Sequence, residues 1–190
     1  NGNLINTSKI KKELTENGSL FQTTTDTEII LKLLGKNAKY GYKKSLLNML
    51  DKVEGAFALV IIIENKLIGI RDPHGIRPLC LGETSDGLYV LASESCALDA
   101  LGANFLRDIE PGEMVIIDNN EIESIKYKVN SIKSPCSFEF IYFARPDSII
   151  DGIDVYSVRH EAGRALYEQN PIEADIVIGV PDSGIPAAIG

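Results

Sequence analysis

The sequence predicts a mixed helix-and-sheet domain followed by the opening of an α/β unit. Three observations carry that prediction. The first fifty residues hold apolar side chains at helical spacing, residues 56–92 read as a meander of short strands, and residues 153–184 run helix, apolar segment, small-residue loop. With 190 residues, 44% of them hydrophobic and 24% charged, the chain has enough apolar matter for one domain or two small ones. A formal net charge of −8 argues against nucleic acid and against an anionic membrane as partners, since both are met by basic faces. The best apolar run, Phe57 to Ile63, falls far short of the roughly 20 residues that span a bilayer. The chain opens on Asn1 with no basic-then-apolar leader, so no targeting signal is read and the true N-terminus is expected to lie upstream.

Taken in order, Ser8 to Glu16 places Ile10 and Leu14 four residues apart among Lys and Glu, as a short amphipathic helix does, with Asn17-Gly18 as its stop. Thr24, Thr25 and Asp26 precede Glu28, Ile29, Ile30, Leu33 and Leu34, the pattern of an N-capped helix. A third helix is expected over Lys43 to Val53, on the spacing of Leu46, Leu47 and Leu50, with Gly55 closing it. Ala56 to Glu64 and Lys66 to Arg71 flank Asn65 as a hairpin. Its first strand is nearly all apolar, which predicts burial on both faces.

Asp72-Pro73-His74-Gly75-Ile76-Arg77-Pro78 reads as a loop, because neither proline can donate to a strand ladder. Arg71, Asp72 and Arg77 are candidates for an ion-pair lattice that fixes it. A second strand pair is expected at Leu79 to Gly82 and Leu88 to Ala92 around Asp86-Gly87. Ser93-Glu94-Ser95 then caps a helix near Ala97, and Pro111-Gly112-Glu113 opens a strand from Met114 to Ile117. Ile122, Ile125 and Tyr127 suggest one more strand, and Lys133-Ser134-Pro135 marks a boundary, giving expected domains at 1–131 and 132–190. Beyond it a helix is expected over Ile153 to Gln169, with Val158, Ala162, Ala165 and Leu166 on one face. Ala174 to Val180 reads as a buried strand entering the loop Pro181-Asp182-Ser183-Gly184. Strand, loop of backbone amides and helix together suit an anion such as phosphate.

Cys80, Cys96 and Cys136 stand far apart and odd in number, which points to a reducing compartment and to buried structural thiols at Cys80 and Cys96. His74 lies in a turn and His160 among charged neighbours, and both read as structural or solvated rather than catalytic.

Asn1-Gly2-Asn3-Leu4, Val53-Glu54-Gly55-Ala56-Phe57-Ala58-Leu59, Arg71 to Leu79 and Ala92-Ser93-Glu94-Ser95 resemble, in order and spacing, the class II glutamine amidotransferases. Glu139-Phe140-Ile141-Tyr142-Phe143-Ala144-Arg145-Pro146-Asp147-Ser148 and Gly179-Val180-Pro181-Asp182-Ser183-Gly184 resemble the amidophosphoribosyltransferases among them. That resemblance implies an α+β N-terminal nucleophile fold, an αββα sandwich, followed by the start of a type I phosphoribosyltransferase domain. It implies glutamine-dependent amination of 5-phosphoribosyl diphosphate to 5-phosphoribosylamine in the cytoplasm, the first step of purine biosynthesis. Feedback by purine nucleotides and a homo-oligomeric state of the intact protein come with it.

The family's nucleophile is a first-residue cysteine acting with its own α-amine as base. This chain has no such cysteine, so by itself it is expected to be inactive. By resemblance, the Asn1 side-chain amide and the Gly2 backbone N–H form the oxyanion hole, and Asp26 holds the α-amine of glutamine. Asp182, Ser183 and Gly184 correspond to the pyrophosphate loop, with Ser183 at a position associated with Mg²⁺. Cys136 stands where one branch of the family places a thiolate ligand of a [4Fe–4S] cluster. Two other classes remain open: a different glutamine amidotransferase, such as a hexosamine-forming synthase, and a scaffold protein that kept the glutaminase fold without its nucleophile. The phosphate-loop sequence counts against the former.

Overall fold

The computed structural model describes residues 1–129 and 131–190. They form two compact units, one of Asn1–Arg77 with Glu110–Lys133 and one of Pro78–Ile109 with Ser134–Gly190.

The first unit is a five-stranded antiparallel sheet under a layer of helices. Its strands are β1 (Gly2–Leu4), β2 (Gly55–Ile63), β3 (Lys66–Arg71), β7 (Glu113–Asp118) and β8 (Glu121–Lys126), in the order β1-β2-β3-β7-β8. The helices α1 (Thr7–Glu16), α2 (Asp26–Asn37) and α3 (Tyr42–Leu50) follow the predicted spacing. Ile10, Leu14, Ile29, Ile30, Leu33, Leu46 and Met49 are buried, and they pack with Phe57, Ile68, Ile70, Met114 and Ile116 of the sheet. Burial of each large aliphatic side chain contributes about 1.5–3 kcal/mol. The β2–β3 turn puts Glu64 in the left-handed region, and the β7–β8 turn does the same with Asn119 and Asn120, a pairing suited to a two-residue hairpin. Burial of β2 on both faces does not hold. Strand periodicity sends Leu59, Ile61 and Ile63 toward the helices, while Val60 (52% exposed) and Ile62 (76%) point to the opposite, open side.

In the second unit, β4 (Cys80–Glu83) lies between β5 (Tyr89–Ala92) and β6 (Asn104–Asp108). The helix α4 (Ser95–Ala100) buries Leu98 and Cys96. Sequence reading misses β6, because its Asn-Phe-Leu-Arg-Asp is mostly exposed and shows no alternation. A π-helical turn at Glu139–Phe143 follows, then the two-residue strands β9 (Ile149–Ile150) and β10 (Ile153–Asp154), α5 (Val155–Gln169) and α6 (Ile185–Ile189). The expected helix start at Ile153 is corrected to Val155. Ile153 and Asp154 pair with Ile150 and Ile149, and the Asp154 carboxylate caps α5 by accepting from Ser157 N–H at 2.6 Å. The expected apolar face of α5 is corrected too: Val155 and Arg159 are its buried residues, and Leu166 is 64% exposed.

Ala174–Val180 is neither buried nor a strand. Its backbone has no strand to pair with among the described residues, and Ile176, Val177, Ile178 and Val180 are 69–84% exposed.

Candidate functional site

Asn1, Gly2 and Asp26 meet at one cavity of about 100 Å³, whose lining also includes Leu4, Ile30 and Phe57. The cavity exists because a three-residue strand is laid on the start of β2. Asn1 N donates to Ala58 O at 2.9 Å, Ala58 N–H returns a bond to Asn1 O at 2.9 Å, and Ile5 N–H donates to Glu54 O at 2.8 Å. Gly2 is required there on two counts. Its φ is +120°, and a Cβ would stand 2.0 Å from Ala56 O. Asn6 anchors the exit of the strand, donating through Nδ2 to Lys52 O at 2.8 Å and accepting Glu54 N–H at 3.1 Å.

Asp26 is the first residue of α2, and the cap position falls to Thr25, which makes no side-chain cap bond. The Asp26 Oδ2 accepts the Leu4 N–H at 2.7 Å, tying the first turn of α2 to β1. The preceding loop is organised by Glu28, whose carboxylate accepts from Gln22 N–H (2.9 Å), Thr23 N–H (2.7 Å) and Thr23 Oγ1 (2.7 Å). The Gln22 backbone bond is the main cause holding the Glu28 carboxyl below its usual range. The carboxylate reaches past the N-cap Thr25, whose own N–H donates to Thr23 Oγ1 at 3.3 Å, and so fixes the approach to the helix rather than its cap.

The loop after β3 is held by a set of buried side-chain-to-backbone bonds. Asp72 is fully buried. Oδ1 accepts His74 N–H (2.9 Å) and Ile76 N–H (3.2 Å), and Oδ2 accepts Arg77 N–H (3.1 Å) and Phe57 N–H (3.3 Å). Arg71, 1% exposed, donates to Arg77 O and Gly75 O, each at 2.9 Å. Asp72 and Arg71 thus bond the loop's own backbone, which a turn with two prolines leaves in need of partners. Tyr127 Oη donates to Arg71 O at 2.7 Å, and burial pushes its phenol pKa upward. His74 Nδ1 lies 3.0 Å from Ile132 O.

In the second unit, Asp182 and Ser183 line a cavity of about 850 Å³ with Arg145, Asp147, Tyr156 and Arg159. Gly184 does not join them. Its N–H is engaged by Val180 O at 2.9 Å, and it lines a separate apolar trough with Ile176, Ile178 and Val180. Arg145 makes a two-bond fork to Asp147, at 3.0 and 2.7 Å, which lowers the Asp147 pKa. Arg159, 4% exposed, donates Nε to Phe140 O and Nη2 to Ala144 O, both at 2.7 Å, and desolvation lowers its pKa. Sequence reading missed Arg159, because a lone arginine on a polar helix gives no sign of burial.

Asp182 and Ser183 supply two hard oxygen donors. That suits a Mg²⁺ ion held mostly by phosphate and water rather than by a protein cage. Cys136 is half-buried, with its carbonyl accepting Glu139 N–H at 3.1 Å. Among the described residues no three His, Cys, Asp or Glu side chains are grouped to hold a metal, so Cys136 offers one thiolate and these residues do not complete a cluster site. Cys80 and Cys96 are buried, and burial pushes the Cys80 thiol up to about 12.

Comparison with known proteins gives a consistent result. Residues 1–100 match the glutamine amidotransferase domain family. The chain is 46% identical over its whole length to the amidophosphoribosyltransferase of Bacillus subtilis, spanning 40% of that protein, and 47% identical to that of Archaeoglobus fulgidus, spanning 42%. A solved structure of the allosteric regulatory enzyme of purine biosynthesis superposes with a TM-score of 0.95 at 46% identity, covering 100% of this chain and 40% of that one. The B. subtilis glutamine phosphoribosylpyrophosphate amidotransferase complexed with ADP and GMP gives the same TM-score and identity, with 41% of that chain covered. The chain therefore spans about two fifths of the length of these relatives.

Proposed function

Because this chain belongs to the glutamine amidotransferase family, in its amidophosphoribosyltransferase branch, we propose that it serves an enzyme that aminates 5-phosphoribosyl diphosphate with the amide nitrogen of glutamine. The products are 5-phosphoribosylamine, glutamate and pyrophosphate, in the first step of purine biosynthesis. Residues 1–131 act as glutaminase, and residues 132–190 form the junction and the start of the phosphoribosyltransferase domain. The carrying observation is the cavity shared by Asn1, Gly2 and Asp26.

At that cavity a thiolate adds to the glutamine carbonyl, the C–N bond breaks, and water releases glutamate from the thioester. No cysteine lines the cavity among the described residues, so the roles left to this chain are stabilisation and binding. The Asn1 side-chain amide and the Gly2 N–H donate to the oxyanion as charge develops on it. Asp26, placed by its bond to Leu4 N–H, holds the substrate ammonium. Ammonia then attacks C1 of the phosphoribosyl group, and the C1–O bond to pyrophosphate breaks. Asp182, Ser183 and Gly184 form the diphosphate loop in this reading, and the cavity beside Asp182 and Ser183 is supporting geometry. Mg²⁺, with Ser183 among its ligands, neutralises the diphosphate charge when bound. Cys136 would supply one thiolate to a [4Fe–4S] cluster in the intact protein, the other ligands coming from elsewhere. The enzyme works in the cytoplasm as a homo-oligomer under purine-nucleotide feedback, without nucleic acid or membrane partners.

Asp26→Asn in the intact enzyme tests this reading. Loss of one charge-assisted contact, about 1.5–3 kcal/mol, raises KM for glutamine about 10- to 100-fold. Synthesis from free ammonia stays at the wild-type rate. An unchanged KM for glutamine removes Asp26 from the site.

A further inference from the structure

Glu94 stands at the N-cap of α4, yet its side chain makes no cap bond. Its Oε2 instead accepts Arg145 N–H and Ser148 Oγ–H, each at 2.8 Å. The next residue, Ser95, accepts Ile149 N–H on its Oγ at 2.8 Å. Three bonds thus fasten residues 145–149 to the first turn of α4, across more than fifty residues of sequence. From the other flank, buried Arg159 holds Phe140 O and Ala144 O. The segment 140–149 is a strap clamped between one carboxylate and one guanidinium. Arg145 and Asp147, on the clamped stretch, are walls of the cavity that contains Asp182 and Ser183. Glu94 and Ser95 lie within residues 1–100, matched by the glutamine amidotransferase family, whereas the strap and Ser183 lie outside that match.

We propose that Glu94 is a positioning residue for the phosphoribosyl half of the reaction, setting the Arg145–Asp147 wall of the Ser183 cavity from within the amidotransferase-matched part of the chain. The inference rests on the reading of Asp182 and Ser183 as the diphosphate loop. One Glu94 oxygen accepts at both ends of the 145–148 stretch, and the Cys96 thiol donates to the same atom at 3.8 Å, so this oxygen is the acceptor that flanks the Arg145–Asp147 wall. A carboxamide oxygen at the same place can accept the same two hydrogens, whereas alanine offers none.

The test uses the intact enzyme with free ammonia as nitrogen donor, which bypasses glutamine hydrolysis. Glu94→Ala is expected to raise KM for 5-phosphoribosyl diphosphate about tenfold, the scale of losing a charge-assisted bond in a half-exposed setting. Its kcat and its KM for glutamine hydrolysis stay within about twofold of wild type, because no group touching the reacting atoms is altered. Glu94→Gln is expected to restore KM to within about twofold, since the amide oxygen keeps both donors satisfied. If Glu94→Ala is too unstable to assay, Ser148→Ala removes one of the two bonds and is expected to raise the same KM about threefold. A purely structural Glu94 lowers Tm and the active fraction while leaving KM for the diphosphate unchanged, and that result overturns the proposal. Asp182→Asn separates the two ideas. If it raises KM for the diphosphate and the Glu94 and Ser148 variants do not, positioning by Glu94 is refuted and the loop reading survives; if Asp182→Asn has no effect, both fall.

Discussion

Asp72→Asn should do about half the damage of Asp72→Ala, because the four bonds divide evenly between two oxygens and asparagine keeps only one of them. Each oxygen accepts two backbone N–H groups, His74 and Ile76 on Oδ1, Phe57 and Arg77 on Oδ2. Whichever way an asparagine amide turns, its NH₂ faces two donors and can accept from neither. Two hydrogen bonds to a charged acceptor, at about 1.5–3 kcal/mol each, put the loss at about 3–6 kcal/mol. That is a large share of a stability that is normally 5–15 kcal/mol. Amide hydrogen exchange reads the loss locally: in the asparagine variant one pair, His74 with Ile76 or Arg77 with Phe57, should exchange more than about 100-fold faster, and in the alanine variant both pairs should, at about 1.4 kcal/mol per factor of ten. Acceleration below about fivefold at both pairs, or an alanine variant no worse than the asparagine one, would refute the two-and-two division of acceptors.

Gly2→Ala meets both a φ of +120° and a Cβ placed 2.0 Å from Ala56 O. The backbone strain alone costs about 1–3 kcal/mol, so exchange at Ala58 N–H, which donates to Asn1 O, should quicken more than about tenfold; unchanged protection would mean the strand adapts. Tyr127 carries a raised phenol pKa through burial, and the unfolded phenol ionises near pH 10. Its stabilising contribution is therefore complete below about pH 10 and declines as the pH rises above it. Tyr127→Phe should cost about 1 kcal/mol at pH 7 and a shrinking amount above about pH 10, as judged by denaturant midpoints; a constant gap refutes the assignment. In the native protein Cys136 should react with a disulfide reagent well before Cys80, which is 2% exposed with its thiol pushed up to about 12; equal rates would contradict that burial.

Where side chains obey a period, the sequence was readable. The spacing of Ile10 with Leu14 and of Leu46 with Leu50 marked helices that pack on the sheet, and Asn65 marked a hairpin. Composition misled where burial depends on what lies opposite. Val60 and Ile62 are as apolar as Leu59 and Ile61, and only the sheet's second face decides that they are exposed. The run Ile176–Val180 has the chemistry of a core strand but no neighbouring strand among the described residues. At the candidate sites, Asn1, Gly2 and Asp26 were legible through motif order, and the structure collects them at one cavity. Glu94 was read as part of a helix cap because Ser-Glu-Ser is a local signal. Its actual partners lie more than fifty residues away, beyond the range of any local pattern.

The connection between β3 and β7 has a kinetic consequence. Ile70 pairs with Met114, a separation of 44 residues, and 32 of those, Pro78–Ile109, belong to the other unit. The β2–β3 and β7–β8 hairpins close locally, so the β3–β7 ladder is expected to form after them. Ile109 N–H donates to Leu79 O at 2.8 Å, which brings the ends of the excursion together. If the excursion collapses first, the remaining loop behaves as about 12 residues rather than 44, and its closure entropy falls by about 1 kcal/mol. Asp72 sits where this closure is sealed, with its carbonyl accepting Gly112 N–H at 2.9 Å. The residue that ties the loop would then also be the latch of the slow step, and substitutions there should retard folding as well as weaken the folded state.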